Sequence, residues 1–143
     1  MPRTRLDLPA EFPFSTEIPV RISDINYGGH LGNDAALGIL HEARIRFLSG
    51  MGYTEHNIGG KGIIMTEALV LYRAEVFHGD LLTVEIAVGE FEPHGCAFLY
   101  RVSSARSGKE ALRARTHIAF FDYQVRKVTR VPEEFARRFQ SGP

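Results

Sequence analysis

Apolar and polar positions along the chain change period most plainly near residue 63, from a helical to an extended spacing. Before that change, Ile18, Val20 and Ile22 alternate with Glu17, Pro19 and Arg21, which predicts a half-buried strand within 14–23 with Pro19 at an edge or a bulge. The segment Asp24-Ile-Asn-Tyr-Gly-Gly-His-Leu-Gly-Asn33 is rich in residues that permit unusual backbone angles and local caps, and it predicts a structured loop. From Asp34 to about Ser49, Ala36, Leu40, Ala43 and Phe47 recur at helical spacing, while Leu37, Ile39, Ile45 and Leu48 make much of the remaining surface apolar. The prediction is a helix buried nearly all round. Asn33 is its expected N-cap, Asp34 lies in its first turn, and Gly50 and Gly52 are placed to end it.

The segment 53–62, with Gly59, Gly60 and Gly62, reads as a flexible connection. Lys61 beside these glycines lacks the spacing and the following hydroxyl residue of a phosphate loop. Beyond it the period is that of extended chain, and four strands are predicted, beginning with 63–76. Leu82, Val84, Ile86 and Val88 alternate cleanly with Thr83, Glu85 and Ala87. Strands at 96–103 and 111–122 follow; the latter has Leu112, Ala114, Thr116, Ile118 and Phe120 on one face and Arg113, Arg115 and His117 on the other. Ser107-Gly108 is a hairpin turn signal, and Pro132 opens a short helix with Glu133 and Glu134 in its first turn. One strand, a long apolar helix and an antiparallel run of strands make an α+β arrangement. The helix carries too much apolar surface for one flat sheet, so a sheet curled around it and completed by a second subunit is expected.

Composition changes this picture little. The 143 residues, 24% charged and 44% hydrophobic, suit a single soluble domain spanning 1–143. Cys96 is the lone cysteine, no apolar leader follows Arg3 and Arg5, and no segment approaches a membrane span, so the expected location is the cytoplasm without membrane insertion. A net charge of zero argues against nucleic acid as a partner. The charge is unevenly placed: Arg101, Arg106, Lys109, Arg113, Arg115, Arg126, Lys127 and Arg130 face only Glu110 and Asp122 over 101–130. These cations are either solvated strand faces or a rim that attracts a phosphorylated ligand.

The run Arg21-Ile-Ser-Asp-Ile-Asn-Tyr-Gly-Gly-His-Leu-Gly-Asn33, followed by the helical Glu42-Ala43-Arg44, resembles the Arg-x-x-Asp-x-Asp-x-x-Gly-His-x-Asn-Asn signature of the hotdog-fold thioesterase superfamily, in the branch of 4-hydroxybenzoyl-CoA thioesterase. A second match is Tyr72-Arg-Ala-Glu-Val-Phe-His-Gly-Asp80-Leu-Leu-Thr-Val84, similar to the family's strand, turn and Gly-Asp leading into the next strand. The resemblance implies a hotdog fold, in which a curved antiparallel sheet wraps a long central α-helix. It also implies a homodimer with sheets joined edge to edge, possibly a dimer of dimers, with active sites at the subunit interface near the helix N-terminus. No cofactor or metal is implied, CoA entering only as part of the substrate. A helix N-terminus suits this chemistry, because its unpaired N–H groups can hold the negative charge that a thioester carbonyl develops under attack by water.

One departure from the family's pattern bears directly on the chemistry. The family's usual catalytic carboxylate is the second acid of Asp-x-Asp, and that position is Asn26, which can orient a water or a carbonyl but cannot serve as an ordinary base. A carboxylate from elsewhere is then required. Asp24 matches the first acid and either braces the loop or acts in catalysis. Asp34 either favours the helix dipole or activates water. Glu42, about 80° around the helix from Asp34, is either paired with Arg44, Arg46 or a partner subunit, or activates water. His30 and Asn33 occupy signature positions and either bind the thioester oxygen or brace the loop. Tyr27, with Gly28 and Gly29, is expected at the substrate. His78, His94 and His117 have no metal-ligand spacing, and the serines lack a nucleophile elbow.

The leading expectation is an acyl-CoA thioester hydrolase that releases free acid and CoA. The loss of the acid at Asn26 keeps a second open, a non-hydrolytic acyl-CoA-binding or regulatory hotdog domain. A third is an enoyl thioester hydratase or dehydratase.

Overall fold

The computed structural model describes residues 3–140. Strand β1 (Phe14–Pro19) leads through a 3-10 turn (Ile22–Asp24) and the loop to helix α1 (Asn33–Ser49). Strands β2 (Gly62–Tyr72), β3 (Leu81–Glu92), β4 (Gly95–Ser104) and β5 (Glu110–Asp122) follow, then the two-residue β6 (Lys127–Val128) and helix α2 (Glu133–Gln140). The sheet is antiparallel in the order β1-β3-β4-β5-β2, with β6 pairing β5. Both β1 and β2 are therefore edges, and Pro19, which has no amide to donate, sits at the end of an edge strand as its chemistry requires.

The period-two faces of the sequence decide what the sheet wraps. Leu82, Val84 and Ile86 of β3, Phe98 and Tyr100 of β4, and Ala114, Ile118 and Phe120 of β5 form one buried cluster with Ala36, Leu40, Ala43, Phe47 and Leu48 of α1. Burial of each large side chain here contributes roughly 1.5–3 kcal/mol. Helix α2 closes the end of this core by inserting Phe135 against Tyr53, Phe91 and Phe120. On the sheet's outer face the N-terminal segment lies across the strands, where Leu6, Leu8 and Phe12 cover Ala87, Leu99, Leu69 and Leu71. Arg113 fixes that segment by donating to the Leu6 carbonyl at 2.8 Å, and the Arg101 guanidinium lies 4.9 Å from the Phe12 ring centre.

The first two strands stop at Pro19 and Tyr72, short of the expected spans 14–23 and 63–76, because a 3-10 turn and a non-strand segment follow them, and three further expectations from the sequence need correction. Helix α1 is not buried nearly all round: Asp34, Leu37, Gly38, His41, Glu42, Ile45 and Arg46 are exposed, with Leu37 at 43% and Ile45 at 39%, because the sheet of one chain covers only one side of it. Its N-cap is Gly32 rather than Asn33; the backbone is already extended at Gly32 (φ −71°, ψ 149°), which makes Asn33 the first helical residue. Residues 53–62 are not an open connection. Two tight turns, bridged at Thr54–Asn57 and Ile58–Lys61, bury Ile58 completely and present Glu55 to the helix. Gly59 and Gly60, at φ +61° and +88°, supply the left-handed backbone that the second of these turns needs.

Candidate active site

The loop 24–33 is braced from both sides. Asp24 is buried and caps the 3-10 turn, its Oδ2 accepting from the Arg21 amide at 2.9 Å while the Arg21 guanidinium lies 3.5 Å from Oδ1. Behind the loop, Leu31 N donates to the Val76 carbonyl at 2.7 Å and Val20 N to the Asp80 carbonyl at 2.8 Å. Asp80 in turn accepts from Phe77 N at 2.8 Å and so tightens the turn at Gly79, φ +88°. The second sequence match, through Gly79-Asp80, thus acts as a backing for the first.

Asn26 is turned inward on the loop. Its Oδ1 accepts from Gly28 N at 2.9 Å and His30 N at 3.4 Å, and its carbonyl accepts from Gly29 N at 3.1 Å. The amides of Gly28 and Gly29, expected at the substrate, are therefore engaged within the loop, and Gly29 holds the positive φ of +83° that closes the turn. Tyr27 is fully exposed and lines no part of the groove described below. The His30 imidazole is half-buried and lies close against Gly28, its Nε2 3.3 Å from where a Cβ on Gly28 would be.

An open groove of about 490 Å³ runs along the exposed side of α1, between the helix and the end of β1. Its charged lining comes from Arg21, Asp24, Asp34, Glu42 and Arg46, over a base that includes Ile18 and Ile39. The two carboxylates singled out from the sequence, Asp34 and Glu42, thus share one groove. Their surroundings differ. Glu42 accepts from Arg46 Nε at 2.9 Å, and Arg46 is held further by Thr16 Oγ1 at 3.0 Å and the Glu17 carbonyl at 2.9 Å. Asp34 has no hydrogen bond or ion pair among the described residues. Nor does Gly32 offer a side-chain oxygen to the first turn, so the amides of Asn33, Asp34 and Ala35 lack a side-chain cap.

Tyr72, which the sequence offers only as part of a match, closes this end of the helix. Its hydroxyl donates to the Asn33 carbonyl at 3.1 Å, tying edge strand β2 to the first turn of α1. Burial pushes its phenol pKa up, and the negative charge of Asp34 adds to the rise. Nothing in the periodicity marks Tyr72; only the fold brings it to Asn33.

Other reactive groups are accounted for elsewhere. Cys96 is buried, which pushes its thiol up to about 12 and leaves it protonated at neutral pH. His117 lies 3.1 Å from Glu67 and 3.2 Å from Glu90 on the outer face of the sheet. Among the described residues no group of three or more His, Cys, Asp or Glu could hold a metal ion, and no helix is long and apolar enough to cross a membrane. Three of the eight cations in 101–130 are paired with carboxylates: Arg101 with Glu85, Arg113 with Glu110, and Arg115 with Glu67 and Glu90. These three arginines belong to strand faces rather than to a free cationic rim.

A helix wrapped by an antiparallel sheet, with a groove at the helix N-terminus behind a braced Gly-His loop, defines the hotdog class of fold. The chain belongs to the thioesterase-like superfamily, whose family model matches residues 20–139. Among solved structures it is similar to the 1,4-dihydroxy-2-naphthoyl-CoA thioesterase Slr0204 from Synechocystis, at 24% identity and a TM-score of 0.81, over 91% of this chain and 98% of that one. It is also similar to the DHNA-CoA thioesterase from Staphylococcus aureus, at 18% identity and a TM-score of 0.73, over 87% and 81% of the two chains. At these identities the likeness concerns the fold. No curated protein matches the sequence.

Proposed function

We propose that the protein hydrolyses an acyl-CoA thioester to the free acid and CoA, with Asp34 as the base that activates water. The observation that carries this reading is the Asp34 carboxylate itself: it is unpaired, lines the groove, and sits in the first turn of a helix whose cap offers no side chain. The thioester carbonyl oxygen is placed toward the first-turn amides. Water attacks the carbonyl carbon as Asp34 takes its proton, and negative charge builds on the oxygen that the amides face. Collapse of the tetrahedral intermediate breaks the C–S bond, and the CoA thiolate takes the proton back. Glu42 is the weaker candidate for the base, because its carboxylate already accepts a hydrogen bond from Arg46 Nε. Asn26, Asn33 and His30 serve by shaping the loop and the helix start around the reacting carbonyl.

A second copy of the chain completes the site. This part of the proposal draws on the exposed Leu37 and Ile45 beside the groove and on Met65 of edge strand β2, 45% exposed. An open β edge next to an apolar helix stripe is suited to pairing with its own copy, giving a homodimer or a dimer of dimers, in the cytoplasm. Tyr27, off the groove of its own chain, is then available to the neighbouring one.

The competing reading is an acyl-CoA-binding domain without turnover, and the inward-turned Asn26 at the family's acid position favours it. A free-thiol assay with acetyl-CoA, palmitoyl-CoA and benzoyl-CoA separates the two. Thiol release above the spontaneous rate with at least one of them is expected. Binding of all three without thiol release contradicts hydrolysis, and consumption of an enoyl-CoA without thiol release identifies a hydratase instead.

A further inference from the structure

Glycine at position 32 is not required by the backbone. Its φ of −71° and ψ of 149° lie in the extended region open to every L-residue. Nor is glycine the best cap for a helix, since Ser, Thr, Asp or Asn would satisfy a first-turn amide that glycine leaves open. Gly29 is a different case: its φ is +83°, and a Cβ there would meet nothing within 4 Å. At Gly32 a Cβ would stand 2.8 Å from Asp34 Oδ1, a separation that real Cβ atoms essentially never show, with Asn26 Cβ and the Asp24 carbonyl each at 3.7 Å. The space of the missing side chain is occupied by the Asp34 carboxylate.

We propose that Gly32 is a positioning residue for the reaction: the gap left by its side chain is the seat that holds the Asp34 carboxylate back over the junction of loop and helix. This rests on Asp34 being the base. No bond to a neighbouring side chain fixes that carboxylate, so shape does the work that an ion pair does for Glu42. The same deletion keeps the first-turn amides uncapped and open to a carbonyl oxygen. A serine in place of Gly32 removes both features at once. Its Cβ displaces the Asp34 carboxylate, a cheap rotation of a side-chain end, while its hydroxyl occupies a first-turn amide and caps the helix better. Stability and activity then move in opposite directions, which a purely structural role does not produce.

The test uses Gly32→Ser, Gly32→Ala, Asp34→Asn and the double variant Gly32→Ser/Asp34→Asn, with the member of the acyl-CoA panel that the parent hydrolyses best. Gly32→Ser is expected to melt at or above the parent temperature, while kcat falls roughly ten- to a hundredfold, as expected for a misplaced reacting group. KM is expected to stay within about twofold, and in the Asp34→Asn background the same substitution should cost less than about twofold. A crystal structure of Gly32→Ala should show the carboxylate rotated away and the backbone in place. The seat is overturned if Gly32→Ala and Gly32→Ser keep parental kcat while Asp34→Asn loses it, or if the carboxylate stays put in the Gly32→Ala structure. Full turnover by Asp34→Asn overturns the base assignment on which the seat depends, a result distinguishable from the first.

Discussion

Helix α1 carries two groups of charged side chains, and they differ in how completely they are satisfied. On the side facing the sheet, Arg44 is 5% exposed and donates to Glu55 Oε2 at 2.7 Å and to the Tyr100 hydroxyl at 3.0 Å. Tyr100 and Thr116, both fully buried, lie 2.7 Å apart through their hydroxyls, and His41 Nε2 lies 2.8 Å from the other oxygen of Glu55. A cation inside a core survives only when its donors are met, and this one is held from two sides. Along the groove, about one helical face away, Asp34 meets no donor. A paired network anchors the helix and the 53–62 turns to the sheet, whereas the Asp34 carboxylate and the first-turn amides beside it have no side-chain partner among the described residues. Polarity on a helix is thus a poor guide to function until its partners are counted.

The largest effect that separates the two groups is expected at Arg44. Arg44→Met removes one of the two partners of Glu55 and one of the two of Tyr100, leaving them His41 and Thr116, and should lower stability by about 3 kcal/mol in denaturant unfolding, as breaking a buried pair does. Turnover per folded molecule should survive. A loss of turnover without a loss of stability would place Arg44 in the chemistry and erase the distinction.

Acid sharpens the same contrast. Burial pushes the Glu55 pKa up, but hydrogen bonds from Arg44 and His41, with the charges behind them, outweigh that and hold it below the usual carboxylate range. A carboxyl depressed in the folded state contributes stability above its unfolded pKa and loses it as pH falls through the folded value. The stability difference between the parent and Glu55→Gln should therefore be level near neutrality and shrink below about pH 4. A difference that grows toward acid contradicts the pairing.

The smallest effect is expected at Glu42. Its pair with Arg46 is half exposed and spans one helical turn, so Glu42→Gln should cost about 0.3–0.5 kcal/mol. Turnover should change by no more than about threefold. A large drop in kcat would transfer the role of base from Asp34 to Glu42.

Most of the fold is legible in the sequence for a simple reason. The core positions of α1 and the inner faces of β3 and β5 are set by period alone, so Ala36, Leu40, Ala43 and Phe47 and the series Leu112 to Phe120 can be placed without long-range information. The 53–62 turns escape such a reading because composition sees three glycines, whereas their order comes from Ile58 and Glu55 meeting the core and Arg44. The exposed stripe of α1 escapes it because apolar content does not say how many faces one chain covers. Within the site, Asp34 and Glu42 are visible as acids on an apolar helix, but their inequality depends on Arg46 reaching Thr16 and Glu17 across the groove. Tyr72 and Gly32 leave weaker signals. A glycine two residues before an acid, where the signature has Asn, is what the sequence shows of the seat.

The most direct measurement is the rate of thiol release from the preferred acyl-CoA by the parent, Asp34→Asn and Glu42→Gln, each with its binding constant for the substrate. The Asp34 variant is expected to lose roughly 10²–10⁴ in kcat, the usual range for a lost general base, with binding preserved and Glu42→Gln near parental. Full turnover by Asp34→Asn, in a variant that binds and melts like the parent, would contradict the claim.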